Sequence, residues 1–321
     1  MLRPSIRSLP PLPSALRHVS ARSPSFRNRQ PEIPLRTGRA YTTAPKASRF
    51  TASRDGPSSL ETMSDADADP PIAELNRDEV LAFRDALAAE LRDDEWYTIL
   101  TATAASCHFG ASSIVTIYEL ACQLAPQKPG EPEAERCQRI HSRIQETLVK
   151  GTVLYGIAAS LDTVFPLLSH LREHHPSHLL PTATSAPRRP LESSTLSSLG
   201  PRAYDALGSV YQHNLSPIID GKMGDDMEDL KFLTLQINYG WNLAEYRVLD
   251  FKSTELVVLA ALVAQNTRNE ILWHLRGAMR AGWSRETVVS VREACVRMAR
   301  RLGRRTGNVP RMDEVREDSN E

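Results

Sequence analysis

Between Ser253 and Cys295 the chain reads STELVVLAALVAQ, then TRNEILWHLRGAMR, then AGW and SRETVVSVREAC. Apolar positions are continuous in the first piece and recur every three to four residues in the second. The continuous run predicts a helix buried on all sides; the periodic run predicts an amphipathic helix with Glu270 and His274 one turn apart. Gly282 predicts a stop, and Ser284 predicts the cap of a third helix.

Upstream, Asn76 reads as an N-cap, with Asp78 and Glu79 in the first turn of VLAFRDALAAELR. A helix is expected after Asp94 through WYTILTATAASC, and another from about 111 to 124, ending before the turn APQKPG. From Glu133 a long helical pattern carries Gly151, Gly156 and Pro166, which predict interruptions and at least two helices. Small residues at Gly151, Gly156, Ala158 and Ala159 would admit a close helix neighbour. The Pro/Ser/Thr-rich stretch 174–200 reads as a long surface loop, and helices resume at Ala203. The pattern therefore divides into a transit segment and linker (1–75), a helical domain (76–303) and a polar tail (304–321). The fold class is all-α, with two pseudo-equivalent helical halves as a further expectation.

Charge changes the picture at the N-terminus. Residues 1–54 hold ten Arg and one Lys against the single acid Glu32, although the whole chain is neutral with 39 basic and 39 acidic residues. An acidic body under a basic head argues against nucleic-acid binding by the folded part. An Arg-rich, Ser-rich, acid-poor head has the composition of a transit peptide, and Arg39-Ala40-Tyr41-Thr42 is similar to a matrix-protease cleavage pattern. Mitochondrial matrix import is the expectation; translation from Met63 would instead give an acidic cytosolic N-terminus. The longest apolar run is far shorter than the ~20 residues of a spanning helix, so no membrane span is expected. Cys107, Cys122, Cys137 and Cys295 form no C-x-x-C pair and no zinc-type spacing.

Candidate chemistry centres on Glu270 and His274. A carboxylate four residues before an imidazole shares its helix face, can accept its N–H, and fixes which ring nitrogen moves a proton. The ordinary alternative is a solvated contact worth ~0.2–0.5 kcal/mol. Thr267, Tyr239 and Trp273 are secondary candidates for a substrate pocket. His170, His174, His175 and His178 cluster at a helix end, but no acidic or thiol partner in sequence completes a metal site. Cys107 and His108, adjacent in sequence, point about 100° apart on a helix. Gly277, Ala278 and Gly282 read as helix contact and capping residues. No cofactor-binding or metal site is expected.

The spacing Glu270, His274, Gly277, Ala278, Gly282, Glu286 after Glu255-Leu-Val-Val-Leu-Ala-Ala-Leu-Val resembles the carboxymuconolactone decarboxylase family of the alkylhydroperoxidase D-like superfamily. ETLVKGTVLYGIAASLDTVFPLLSHL resembles its other characteristic helix, and GPRAYDALGSVY and NYGWNLAEYRVLD resemble linking segments of fungal members. The resemblance implies a compact multi-helix fold assembling as trimers or hexamers. It also implies a lyase-type decarboxylation of a small organic acid, with His274 carrying the proton and Glu270 orienting it. Peroxidase members use C-x-x-C and a histidine; aligned on His274, Thr267 and Glu270 stand where those thiols would be, so a dithiol peroxidase site is absent there. A non-catalytic oligomeric scaffold or partner-binding protein is the alternative, and a peroxiredoxin-type antioxidant the remaining one.

Overall fold

The computed structural model describes residues 74–182, 184–188 and 193–316. The expected transit segment, nearly all of the linker and the end of the tail lie outside them. Among the described residues every regular element is helical, as the hydrophobic pattern predicts.

Helix α1 spans Arg77–Asp85 and opens on a complete capping box: the Asn76 side chain accepts from the Glu79 amide while Glu79 reaches back to the Asn76 amide. Helices α2 (Trp96–Ser106), α3 (Gly110–Leu124), α4 (Glu133–Tyr155) and α5 (Ile157–His174) follow. Of the three expected interruptions only Gly156 breaks the chain, at φ 89°, between α4 and α5. Gly151 stays inside α4 and Pro166 inside α5. The carbonyl that Pro166 leaves without its helical donor belongs to Asp162, an exposed residue, so water can satisfy it.

Helix α6 spans Ser193–Tyr211, with Pro201 inside it, so the stretch read as loop up to residue 200 already contains the first two turns of a helix. The short helix α7 (Glu228–Phe232) runs directly into a π-helical segment, Leu233–Leu243. Then come α8 (Phe251–Gln265), α9 (Arg268–Arg280) and α10 (Arg285–Arg301). Asp250 caps α8 through the Ser253 amide at 2.7 Å, and Asn266 ends it in the left-handed conformation. Ser284 caps α10 as its sequence position predicts, and Gly282 makes the preceding turn at φ 98°.

Helices α2 and α8 lie side by side at the centre. Every residue of α2 is buried, as is every residue of α8 from Ser253 to Ala264. Each fully buried Leu or Val there contributes roughly 1.5–3 kcal/mol of transfer free energy. Helices α4 and α10 flank this pair; α3 and α5 cover one side, α9 and α6 the other. No helix among the described residues is long and apolar enough to cross a membrane.

Candidate functional site

A buried helix tolerates a carboxylate only if it is paired. Glu255, in the first turns of α8, is such a carboxylate: it is 3 % exposed, and its Oε2 lies 2.9 Å from Nδ1 of His274 on α9, itself 3 % exposed. With the carboxylate ionised, Nδ1–H donates to it, and Nε2 is the ring atom left to take or give a proton. Gly277, one turn beyond His274, makes the geometry possible. A Cβ there would fall 2.6 Å from Glu255 Oε2 and 3.0 Å from Val210 Cγ1. Its absent side chain is thus part of the site's construction, beyond the helix-contact role its sequence position suggests.

The expectation that Glu270 orients the imidazole is corrected by this arrangement. Glu270 stands exposed in the first turn of α9, and the ring bonds to a carboxylate nineteen residues earlier in sequence. Thr267 also lies apart, at the N-cap of α9, seven residues or about 10 Å of helix rise from His274. Its hydroxyl donates to the Leu262 carbonyl.

Tyr239 and Trp273 do gather near His274, through Tyr211 at the end of α6. The Tyr211 ring meets His274 edge-on at 6.1 Å between centroids and Trp273 at 5.1 Å. Tyr211 and Tyr239 pack against the same small apolar cluster of Ala203, Leu207, Ile219 and Leu235. Burial pushes the Tyr211 phenol up to about 12 and the Tyr239 phenol well above its ordinary value, so both are neutral donors at physiological pH. A third phenol, Tyr246, is raised for the same reason and also feels the Glu255 charge. The imidazole is therefore a covered group, roofed by aromatic rings.

Tyr246 links this pair to a second ionic cluster. Lys150 Nζ sits 5.4 Å from its ring centroid, fully buried, and donates to the carbonyls of Leu243 (2.6 Å) and Glu245 (2.8 Å). Burial lowers the ammonium to about 8 despite Glu146, 3.6 Å away. Glu146 is held by both guanidinium nitrogens of Arg188, at 2.8 and 2.6 Å, and Arg188 also donates to Asn242. On the outer side of Tyr246 a cleft of about 350 Å³ opens between α6 and α8, with Arg202 at its edge and Phe251 on its wall. Phe251 lies one helical turn before Glu255, so the cleft approaches the carboxylate from outside.

Cys107 and Cys295 are buried thiols pushed up to about 12, and Cys295 accepts from Thr103 Oγ1 at 3.3 Å. Neither has nucleophilic character at neutral pH. His108 stands exposed in a left-handed turn between α2 and α3. Cys122 and Cys137 are different: α3 and α4 bring them together, a proximity that their spacing in sequence does not show.

Residues 231–301 match the family model described as the carboxymuconolactone decarboxylase family. This segment belongs to that family. It contains Tyr239, Glu255, His274 and Gly277, whereas Tyr211 and Arg202 come from the chain before it. The chain is also similar to "Peroxisomal protein 2" of Saccharomyces cerevisiae, 30 % identical over 95 residues, which are 30 % of this chain and 33 % of that protein. It therefore spans about a third of that relative's length. A second "Peroxisomal protein 2", of Schizosaccharomyces pombe, is 23 % identical over 164 residues, 51 % of this chain and 72 % of that protein. No solved structure matches significantly. Glu255 carries a signal that sequence reasoning passed over: a lone acid heading nine apolar residues in a helix with no polar face must find a buried partner.

Proposed function

We propose that the carboxymuconolactone decarboxylase family segment performs proton-transfer chemistry on a small organic acid, with His274 as the proton carrier and Glu255 as its positioning partner. The observation that carries this reading is the 2.9 Å contact between two buried ionisable side chains, beneath phenols that burial keeps protonated. In a decarboxylation the bond between carbon and carboxylate breaks, CO2 leaves, and the electron pair moves onto a conjugated carbonyl oxygen. Tyr211 and Tyr239 supply donors for that enolate oxygen. The His274 imidazolium delivers the proton to carbon, and Glu255 stabilises the positive ring until it does. Arg202, which lines the cleft outside Tyr246 while its Nη2 holds the Ala244 carbonyl and stands 3.5 Å from Glu245, is the cation that a substrate carboxylate in that cleft would meet. Substrate reaches the imidazole when the aromatic cover moves, and the π-helical segment bearing Tyr239 is an element that such a movement would involve.

The test offers the full chain a panel of lactone and β-keto carboxylic acids in D2O, reading CO2 release and deuterium at the α-carbon. Release with deuterium retained at one carbon is expected for at least one acid. Neither release nor binding across the panel would remove the reading. The second reading, a non-catalytic scaffold, is favoured by the near-complete burial of His274: the buried hydrogen bond to Glu255 would then pin α9 to α8.

We also propose that the chain assembles with copies of itself through α5. Ile157, Leu161 and Phe165 recur every four residues along that helix and are 60 %, 40 % and 57 % exposed. For cellular address two readings stand. The Arg-rich, acid-poor residues 1–54 support mitochondrial import, with a cytosolic product from Met63 as its variant. The printed name of the two fungal relatives supports a peroxisomal one. A fluorescent fusion of the full chain, imaged beside one of residues 1–62 alone, separates them.

A further inference from the structure

The four-histidine cluster read as incomplete in sequence acquires its missing partners in the fold. Cys122 on α3, Cys137 on α4 and His178 in the turn after α5 place one ligand atom each within 4.8 Å of one another. Two sulfurs and an imidazole nitrogen bound tetrahedrally to zinc would stand roughly 3.5–4 Å apart, as bond lengths near 2.3 and 2.0 Å require. Closing the gap asks for side-chain movements on the order of an ångström.

The set is held from several directions. The Tyr118 hydroxyl is hydrogen-bonded to His178 Nδ1 at 2.8 Å. The backbone of the His178 turn is tied to α4, where His141 Nδ1 bonds to the His178 carbonyl at 3.1 Å and Gln138 donates to Ser177 at 2.8 Å. The His175 ring stacks on His178 at 4.8 Å, nearly parallel. Such fixing of ligands from outside is what metal sites require of their surroundings. All three donors border one cleft of about 260 Å³, which Glu119 and Arg136 also line.

We propose that Cys122, Cys137 and His178 bind one zinc ion, with the fourth coordination position turned to this cleft. Two thiolates and a neutral imidazole form a borderline-soft set that suits zinc over the hard divalent ions. Binding expels the two thiol protons and leaves an electrically neutral core of Zn²⁺, two thiolates and imidazole. Three protein ligands and an exposed fourth position are the composition of sites that bind water or substrate, as opposed to closed structural sites. The site is separate from the Glu255–His274 pair and independent of the function proposed for it.

The experiment titrates the reduced full chain with Co²⁺ and follows thiolate-to-cobalt charge transfer in the near ultraviolet. One equivalent should saturate the band, and Zn²⁺ should abolish it. Cys122→Ser, Cys137→Ser and His178→Gln, checked for native helical circular dichroism, should each weaken Co²⁺ binding by at least the roughly 10–100-fold seen on losing an outer-shell partner. His170→Gln, which alters a neighbouring imidazole outside the set, should leave the band intact. No charge-transfer band in the reduced wild type would overturn the proposal. So would a band that survives both cysteine substitutions. A Cys122–Cys137 disulfide in the isolated protein, with no metal uptake after its reduction, would assign the pair to thiol redox chemistry instead.

Discussion

Oε2 of Glu255 and Nδ1 of His274 meet at 2.9 Å across the α8–α9 interface, with both side chains almost wholly removed from water. A carboxylate buried in this way must be paired, so anything that moves it disturbs stability and chemistry together.

Gly277→Ala is the most local way to move it. The new methyl would lie 2.6 Å from Glu255 Oε2, and the carboxylate must leave the imidazole to make room. The expected loss is about 1–3 kcal/mol, the cost of an unmade buried hydrogen bond, read by urea unfolding. Glu270→Gln, at an exposed position, should change stability by no more than about 0.5 kcal/mol. Equal effects from the two substitutions would contradict the assignment of Glu255 as the partner.

Gly240 in the π-helical segment tests how α6 is seated. A Cβ there would fall 2.3 Å from the Leu199 carbonyl oxygen and 2.7 Å from that of Leu235. Both are backbone atoms, so a side-chain rotation gives no relief. Gly240→Ala should cost about 1–3 kcal/mol by overpacking and loosen Tyr211 and Tyr239, visible as altered near-ultraviolet circular dichroism. An unchanged spectrum and melting temperature would show that α6 and the π-segment do not pack as described.

Lys150 sets a pH dependence. Its folded value, lowered to about 8 by burial, lies below its ordinary 10.5, so between these the unfolded chain binds more protons than the folded one. The Lys150 contribution to stability should therefore rise as pH increases from about 8 towards 10, and its full penalty is present below 8. Glu146, Arg188 and Glu245 are the charged groups that face Lys150. Buried Cys107 and Cys295 oppose this rise from about 9, and the tyrosines from about 10, because burial raises their folded values. Chemical denaturation across pH 7.5–10 should show the stability difference between wild type and Lys150→Met moving in favour of the wild type as pH rises; the same slope in both would refute the assignment.

Much of this fold was legible in the pattern of the chain. The capping residues Asn76 and Ser284, the stop at Gly282 and the buried run of α8 follow from local chemistry, which is strongest at helix ends. Pro166 misled because a helix tolerates proline where the freed carbonyl can be hydrated. The site was legible only in half. His274 could be singled out on its own helix, but its partner had to be sought across an interface, and the i,i+4 neighbour Glu270 was the nearer choice. The cysteines at 122 and 137 were equally hidden, since the α3–α4 connection that joins them in space has no thiol motif in sequence.

Self-association predicts a further outcome. Phe165→Glu places a charge in the middle of the exposed α5 stripe, away from the core. Sedimentation velocity should show a smaller species for this variant than for the wild type, with helical content retained. A wild type that is monomeric at all concentrations would remove the proposed assembly.

The proposed chemistry depends most on which carboxylate serves His274. Rates of CO2 release and carbon deuteration on a responsive acid, measured for His274→Gln, Glu255→Gln and Glu270→Gln side by side, address it directly. The first two should lose roughly 10²-fold or more, as expected when a proton carrier or its positioning partner is removed, while Glu270→Gln keeps nearly wild-type rates. Loss with Glu270→Gln and retention with Glu255→Gln would contradict the claim.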